Sequence, residues 1–118
     1  MSVTLYAYPN CSTCKKAEKW LKDNNITYNY VHIVEDPPSE QEILTLIEKS
    51  GLQGRRFFNT SGKVYRELKL KDVVPQATVE EMAELLASNG MLIKRPIVTN
   101  GEKVTVGFNE ETLSDAWL

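Results

Sequence analysis

Cys11 and Cys14 are the side chains of this 118-residue chain best suited to covalent chemistry. Two residues separate them, in the order Cys-Ser-Thr-Cys, and the sequence holds only these two cysteines. A thiolate attacks disulfide sulfur, and a thiol one helical turn away can close a disulfide with it across a short loop. The pair therefore indicates thiol redox chemistry in which Cys14 resolves an adduct formed on Cys11.

Two other interpretations of the cysteine pair do not involve redox chemistry. A structural zinc site takes four ligands, whereas the sequence offers no third cysteine and a single histidine, His32. We therefore expect no metal site, and we expect His32, which lies in a strand-like segment, to be a half-buried structural residue. The remaining alternative is a chance pair of unreactive cysteines, one in the core and one on the surface.

The local sequence places Cys11 between a strand and a helix. Residues 3–8 are rich in β-branched and aromatic side chains, and Pro9-Asn10 ends this predicted strand. Beyond Cys11 the apolar residues recur with helical spacing. Cys11 would then lie at the start of a helix, where unpaired N–H groups and the helix dipole stabilise a thiolate and lower its pKa. Lys15 and Lys16 are expected to add to this effect.

Helix and turn signals divide the rest of the chain into further elements. Ser39 with Glu42 and Thr78 with Glu81 have the spacing of capping boxes, which predicts helices that begin after Ser39 and Thr78. Gly51 and Asn89-Gly90 are predicted to end these helices, and Asn89-Gly90 is predicted to do so in the left-handed conformation. The other predicted elements are a strand over residues 26–34, short helices between residues 52 and 76, a hairpin of residues 97–99 and 103–107 joined at Asn100-Gly101, and a last helix capped by Asn109.

The order of these elements predicts an α/β fold of the thioredoxin-like, glutaredoxin-like kind. Two parallel strands joined by a helix are followed by a block of helices, an antiparallel hairpin and a final helix. We expect a mixed sheet of about four strands that carries a helical insertion at about residues 38–90. The sequence has no repeats, low-complexity tracts or linker, so residues 1–118 are interpreted as one domain.

The charge and composition of the chain disfavour two classes of binding partner, nucleic acids and membranes. The net charge is −2 and the isoelectric point is near 5.5, so the chain has no basic excess for nucleic acid phosphates or acidic membranes. No apolar run is long enough to cross a bilayer, and residues 1–5 lack the basic and apolar pattern of a secretory signal. We therefore expect a cytoplasmic monomer that does not contact nucleic acid or membrane directly.

Four segments, taken together, resemble one protein family. They are residues 11–17 (Cys-Ser-Thr-Cys-Lys-Lys-Ala), residues 59–68 (Asn-Thr-Ser-Gly-Lys-Val-Tyr-Arg-Glu-Leu), residues 91–98 (Met-Leu-Ile-Lys-Arg-Pro-Ile-Val) and residues 106–108 (Val-Gly-Phe). Over nearly its whole length the chain is similar to the ArsC-like family of arsenate reductases, Spx and MgsR transcription regulators and YusI-type proteins, and most of all to the YusI-type branch. The order of the cysteine pair and the distant Arg95-Pro96 makes this resemblance specific.

The resemblance implies roles for individual residues. Cys11 matches the nucleophile, Arg95 matches an arginine of an oxyanion pocket, and Pro96 matches the cis proline beside it. An arginine beside a thiolate lowers its pKa and offers forked donors to a tetrahedral oxyanion. The substrate pocket would also include Asn10, Ser12, Thr13 and Asn59. Asn59 stands where arsenate reductases of this family carry a further arginine.

The resemblance implies two functions. The first is an arsenate reductase-like thiol–disulfide oxidoreductase that needs no bound cofactor and takes electrons from glutathione, another small thiol, or a glutaredoxin- or thioredoxin-type reductant. The second is an Spx- or MgsR-type redox-sensing regulator, in which oxidation of Cys11 and Cys14 changes a surface that binds RNA polymerase. Spx-type regulators continue past the fold with a C-terminal segment, whereas this sequence stops at Leu118, so we favour the enzyme.

Overall fold

The strands and helices follow the predicted order. A computed structural model describes residues 2–118, in which the elements are β1 Ser2–Ala7, α1 Ser12–Asp23, β2 Thr27–His32, α2 Glu40–Ser50, α3 Lys63–Glu67, α4 Leu70–Val73, α5 Val79–Ser88, β3 Ile97–Thr99, β4 Val104–Val106 and α6 Glu110–Trp117. Short 3-10 helices cover Gly54–Phe57, Val74–Gln76 and Gly90–Leu92. The short helices predicted between residues 52 and 76 are therefore present as α3, α4 and two of these 3-10 segments.

Within residues 2–118, four strands form one mixed sheet in the order β2-β1-β3-β4. β1 pairs in parallel with β2, from Ser2 opposite Thr27 to Ala7 opposite His32. β3 runs antiparallel to both β1 and β4. A parallel pair joined by α1, with an antiparallel hairpin beyond it, is the mixed sheet that the sequence predicts.

The chain divides into two compact units. One unit is residues 33–94, which hold α2 to α5, and the other combines residues 2–32 with residues 95–118. The helical insertion predicted at about residues 38–90 falls within residues 33–94. The assignment of residues 1–118 to one domain stays a prediction. In the described part of the chain, no helix is long and apolar enough to cross a membrane.

The core of the sheet-containing unit is built from β1, α1, β3 and α6. Its buried residues alternate along β1 and recur at helical spacing along α1, as the sequence pattern predicts. They are Val3, Leu5, Ala7, Cys14, Ala17, Leu21, Ile26, Val98, Leu113 and Trp117. Trp117 donates from Nε1 to Thr105 Oγ1 at 3.3 Å, so its polar group is paired inside the core. Because Cys14 belongs to this core, packing of this unit fixes the position of one member of the cysteine pair.

Polar side chains cap three helices where the sequence predicts caps. At the start of α2, Ser39 Oγ accepts from the Glu42 backbone N–H at 3.1 Å. At α5 a complete capping box is formed, because Thr78 Oγ1 accepts from the Glu81 N–H and Glu81 Oε1 accepts from the Thr78 N–H. Asn109 Oδ1 caps α6 in the same way as Ser39 caps α2. These side chains satisfy backbone donors that the helices leave unpaired.

Gly51 and Gly90, both predicted to end helices, differ in the structure. Gly51 ends α2 as predicted, with φ 70°. The prediction for Asn89-Gly90 is wrong, because Asn89 is extended (φ −158°) and Gly90 begins a 3-10 helix. A Cβ on Gly90 would lie 2.0 Å from the Ile33 carbonyl oxygen, so glycine is needed there for close packing rather than for a positive φ. Asn89 Oδ1 accepts from the Met91 N–H at 2.9 Å.

The β3–β4 hairpin turns at Asn100-Gly101, as predicted, through a loop of residues 100–103. Gly101 has φ +95°, a conformation that side chains disfavour. Asn100 Oδ1 accepts from the backbone N–H groups of Glu102 and Lys103, both at 2.9 Å. Because the loop includes Lys103, β4 begins one residue later than the sequence predicts.

Candidate active site

Cys11 is the N-cap residue of α1 and lies between the end of β1 and the first helical turn. Its backbone is extended (φ −115°, ψ 113°), and its Sγ accepts from the Cys14 backbone N–H at 3.2 Å. The same Sγ lies 3.2 Å from Thr13 Oγ1. The Cys11 N–H donates to the Tyr8 carbonyl oxygen at 3.2 Å. The sulfur predicted as the nucleophile is therefore also the acceptor that caps the helix.

The surroundings of Cys11 favour its thiolate. Partial burial raises the pKa of Cys11, but hydrogen bonding outweighs this effect. The Cys14 thiol, the Thr13 hydroxyl and the Cys14 N–H lower the pKa, and hydrogen bonding with Arg95 lowers it further, to below the ordinary value of 9.0. Lys15 and Lys16, expected from the sequence to assist, are exposed. Neutral donors and Arg95, rather than the lysines, account for the shift.

The surroundings of Cys14, in contrast, favour its protonated thiol. Its side chain is 1% exposed and belongs to the core. Burial raises the pKa of the Cys14 thiol, and both the hydrogen bond with Cys11 and the charge of the Cys11 thiolate raise it further, to about 12. A backbone hydrogen bond with Tyr8 and the charge of Arg95 act in the other direction but are smaller. One thiol is thus accessible with a lowered pKa, and its neighbour is buried and protonated.

Arg95 lowers the pKa of both cysteines and also lies over an aromatic ring. The peptide bond from Arg95 to Pro96 is cis, and Pro96 is buried. The central guanidinium carbon of Arg95 is 5.7 Å from the centroid of the Tyr8 ring. The Tyr8 ring in turn meets the His32 ring edge to face, with centroids 5.5 Å apart and an interplanar angle of 80°. The structure therefore brings together Cys11, Cys14 and Arg95, the three residues that the sequence predicts for catalysis.

The residues predicted for the substrate pocket fall in both units. Asn10, Ser12 and Thr13 are exposed and flank Cys11 in the chain. Asn59 belongs to the helical unit, where its backbone N–H donates to the Leu92 carbonyl oxygen at 2.8 Å. The place of Asn59 in a substrate pocket stays a prediction.

Tyr8 is the neighbour of the cysteines that sequence analysis alone does not assign. Tyr6 lies in β1, and Tyr8 directly follows the last residue of this strand, Ala7. Tyr6 is buried, whereas Tyr8 is half-buried against Arg95. The contact between Tyr8 and Arg95 joins distant parts of the sequence, so no local pattern indicates it.

The chemistry of the site is that of two free thiols. Among residues 2–118, no group of three or more histidine, cysteine, aspartate or glutamate side chains is arranged to hold a metal ion. The ionised Cys11 sulfur can attack an electrophile, and Arg95 can stabilise negative charge that develops beside it. Cys14 can then displace whatever Cys11 has bound.

The sequence profile of the ArsC family matches residues 6–116 of this chain. The chain belongs to the ArsC family. The protein YusI of Bacillus subtilis is 55% identical over 117 residues, which cover 99% of each chain. Spx of Streptococcus mutans, a global transcriptional regulator, is 29% identical over 94% of this chain and 80% of Spx. The B. subtilis regulatory protein MgsR is 29% identical over 91% of this chain and 83% of MgsR.

Solved structures related to the ArsC family share this fold. An ArsC-family-related protein of Bacteroides fragilis superposes with a TM-score of 0.93 and 49% identity, covering 98% of this chain and 97% of that protein. An arsenate reductase of Vibrio cholerae superposes with a TM-score of 0.85 and 29% identity, with the same coverage. The predicted family and the thioredoxin-like α/β fold are confirmed. ArsC-family relatives include both reductases and regulators, so membership alone leaves both functions plausible.

Proposed function

We propose that this protein is an arsenate reductase-like thiol–disulfide oxidoreductase. The observation that carries the proposal is the opposite ionisation of its two thiols, with a lowered pKa at Cys11 and a raised pKa at Cys14. Two-step disulfide exchange needs a nucleophile that is ionised near neutral pH and a second thiol that does not react first. The lowered pKa of Cys11 and the raised pKa of Cys14 favour this order of reaction.

In the first step the Cys11 thiolate attacks one sulfur of a substrate disulfide, such as a glutathionylated thiol. A bond forms between Cys11 Sγ and that sulfur as the substrate S–S bond breaks, and the displaced thiolate leaves with the electron pair. Arg95, which lowers the pKa of Cys11 before the attack, stabilises the negative charge on the leaving sulfur.

The second step depends on the loss of charge at Cys11. Two causes of the raised Cys14 pKa are the hydrogen bond with Cys11 and the charge of the Cys11 thiolate, and neither persists in a mixed disulfide. The pKa of Cys14 then falls, its proton passes to the departing thiolate, and Cys14 Sγ attacks Cys11 Sγ. The products are a Cys11–Cys14 disulfide and a free thiol, and the substrate disulfide has gained two electrons.

An external thiol returns the Cys11–Cys14 disulfide to its reduced form. Two glutathione molecules, or the dithiol of a glutaredoxin- or thioredoxin-type protein, supply two electrons and two protons and become a disulfide themselves. The proposed cycle uses this reductant and the protein's own two thiols.

Disulfides and glutathionylated thiols are the proposed substrates in preference to arsenate. Arsenate carries more negative charge than a disulfide and depends more on cationic hydrogen-bond donors. Asn59 stands where the resemblance to arsenate reductases leads us to expect an arginine. Arg95 is then the arginine of this chain that matches the oxyanion pocket, and we expect arsenate to be the poorer substrate.

Cysteine variants test the proposed cycle. Wild-type protein, Cys11→Ser and Cys14→Ser are assayed with a glutathione mixed disulfide and with arsenate, with glutathione and glutathione reductase as the coupled reductant. We expect wild-type turnover of the mixed disulfide and a loss of about a hundredfold or more in Cys11→Ser. In Cys14→Ser a glutathione adduct should accumulate on Cys11, which mass spectrometry detects.

The assay contradicts the proposal if Cys11→Ser retains full activity or if wild-type protein turns over neither substrate. Faster turnover of arsenate than of the mixed disulfide contradicts only the substrate preference. Thr112→Ala is the matched control, because Thr112 is exposed on α6 and belongs neither to the cysteine pair nor to the predicted substrate pocket.

A redox-sensing regulator is the second candidate, favoured by the matches to Spx and MgsR over 94% and 91% of this chain. In that function, formation of the Cys11–Cys14 disulfide changes a surface that binds RNA polymerase. Reduced and oxidised protein are therefore compared for binding to immobilised RNA polymerase. Redox-dependent binding without disulfide turnover supports the regulator, whereas turnover without such binding supports the enzyme.

A further inference from the structure

Tyr8 connects the two cysteines with Arg95. Its carbonyl oxygen accepts from the Cys11 N–H at 3.2 Å, and a backbone hydrogen bond of Tyr8 reaches the Cys14 thiol. The face of its ring lies under the Arg95 guanidinium, whose central carbon is 5.7 Å from the ring centroid. The main chain of Tyr8 thus contacts the Cys11 backbone and the Cys14 thiol, and its side chain contacts the cation.

The Tyr8 ring is itself supported by His32. Their centroids are 5.5 Å apart at an interplanar angle of 80°, which is a favourable edge-to-face arrangement. His32 is the last residue of β2 and pairs with Ala7, the residue before Tyr8. Strand pairing and ring contact together therefore fix the direction that the Tyr8 ring faces.

Arg95 benefits from a fixed aromatic face because an arginine side chain is long and has many rotamers. Holding such a side chain in one geometry costs conformational entropy. An aromatic face attracts a guanidinium through the ring quadrupole and favours a limited set of positions for it. Arg95 that is already stacked on Tyr8 loses less freedom when it also hydrogen bonds with Cys11.

We propose that Tyr8 is a positioning residue whose ring face holds the Arg95 guanidinium in the orientation that reaches Cys11. The proposal rests on the proposed function only in taking Cys11 as the reactive thiol. The ring face carries the role rather than the phenolic hydroxyl. Tyr8→Phe retains the face, Tyr8→Trp enlarges it, and Tyr8→Leu removes it.

The experiment measures the acid dissociation constant of the Cys11 thiol from the pH dependence of its alkylation by iodoacetamide. We expect Tyr8→Phe and Tyr8→Trp to match wild type. Tyr8→Leu should lower the constant about two- to fivefold, which corresponds to about 0.5–1 kcal/mol, the size of an exposed cation–π contact, at 1.36 kcal/mol per tenfold. In an Arg95→Met background, Tyr8→Leu should have no further effect, because the cation that it positions is gone.

Tyr28→Leu is the matched control, since it removes a half-buried tyrosine from β2 and leaves the Tyr8 ring in place. Circular dichroism and thermal melting establish that each variant is folded, and Tyr8→Met replaces Tyr8→Leu if the latter does not fold. The proposal is overturned if loss of the ring leaves the constant unchanged. It is also overturned if Tyr8→Phe acts as strongly as Tyr8→Leu, or if Tyr8→Leu acts equally without Arg95.

The same measurement separates this proposal from the proposed function. A wild-type Cys11 that ionises like an ordinary thiol contradicts the oxidoreductase itself. A wild-type Cys11 with a low pKa that is insensitive to loss of the Tyr8 ring contradicts only the role of Tyr8.

Discussion

Cys11 and Cys14 are chemically identical side chains to which their surroundings give opposite properties. Hydrogen-bond donors converge on Cys11 Sγ, whereas the core of the sheet-containing unit encloses Cys14. Besides burial, the hydrogen bond with Cys11 and the charge of the Cys11 thiolate both oppose ionisation of Cys14. The thiols therefore titrate as a pair, in which Cys11 loses its proton first.

Folding stability is expected to depend on pH through Cys11. Its pKa in the folded protein is below the ordinary value of 9.0. Between these two values the unfolded chain binds more protons, so stability rises with pH and is lost as the pH falls through the folded pKa. Under reducing conditions, the free energy of unfolding of wild type relative to Cys11→Ser should therefore increase as the pH rises towards about 9.

Urea unfolding at several pH values measures this difference. Ser12→Ala is a suitable control, because Ser12 is exposed, adjoins Cys11 and does not titrate in this range. A difference between wild type and Cys11→Ser that is constant with pH would show that the thiolate is not favoured by folding.

Among the elements, α1 has a reactive end and a buried face. Cys11 caps its N-terminus, and Cys14, Ala17 and Leu21 place one stripe of the helix in the core. Lys15 and Lys16 lie on the exposed side. Packing of the buried stripe thus sets the direction of the helix end, and that direction sets where the Cys11 sulfur meets its donors.

Gly90, which begins a 3-10 helix, and Gly101, in the turn between β3 and β4, need to be glycine for different reasons. The two positions are therefore a useful pair for mutation. A Cβ at Gly90 would meet the Ile33 carbonyl oxygen at 2.0 Å, and this is a backbone atom. A Cβ at Gly101 would meet nothing within 4 Å, and only the φ of +95° opposes it. We expect Gly90→Ala to cost about 3 kcal/mol or more and Gly101→Ala about 1–2 kcal/mol.

Urea denaturation of the two glycine variants measures these costs as free energies of unfolding. The larger loss should belong to Gly90→Ala, because displacement of the backbone at Ile33 disturbs the packing of the helical unit. If Gly101→Ala is the more damaging change, close packing at Gly90 is not the reason for its glycine.

At the scale of the whole molecule, the sheet-containing unit joins two distant parts of the sequence around one core. Trp117, from α6, is 2% exposed and packs in the same cluster as Cys14 from α1. Trp117→Ala should therefore destabilise the protein by about 3–5 kcal/mol. Trp20→Ala, at a half-buried position against the same core, should cost about 1–2 kcal/mol.

Denaturant unfolding followed by circular dichroism tests this difference without relying on tryptophan fluorescence. The comparison is controlled for residue type, since both variants remove an indole. Equal losses at the two positions would mean that the core does not depend on the C-terminal helix in the way its burial indicates.

Features that depend on neighbouring residues could be predicted from the sequence. Ser39, Thr78 and Asn109 were predictable as caps because each satisfies backbone donors within its own first turn. The position of Cys11 between strand and helix was predictable for the same reason. The order of the predicted elements indicated the fold, and the resemblance of the whole chain to one family supplied the candidate role of Arg95.

Features that depend on distant contacts could not be predicted in this way. Gly90 was misinterpreted because its reason is the approach of Ile33, which no local pattern records. The contact between Tyr8 and Arg95 likewise appears only when β1 and the segment before β3 are folded together. The local sequence also suggested that nearby lysines lower the Cys11 pKa, whereas the donors are set by side-chain direction and the fold.

Because Cys11 Sγ caps α1, its oxidation state also affects the order of the helix end. A sulfur bound in a disulfide is uncharged and is a weaker acceptor than a thiolate for the Cys14 N–H. Oxidation therefore weakens the cap of α1 and leaves the covalent bond to Cys14 to hold the first turn, whereas reduction restores the cap. Ser12 and Thr13 are exposed on this turn, so the change in the cap occurs at the surface beside Cys11.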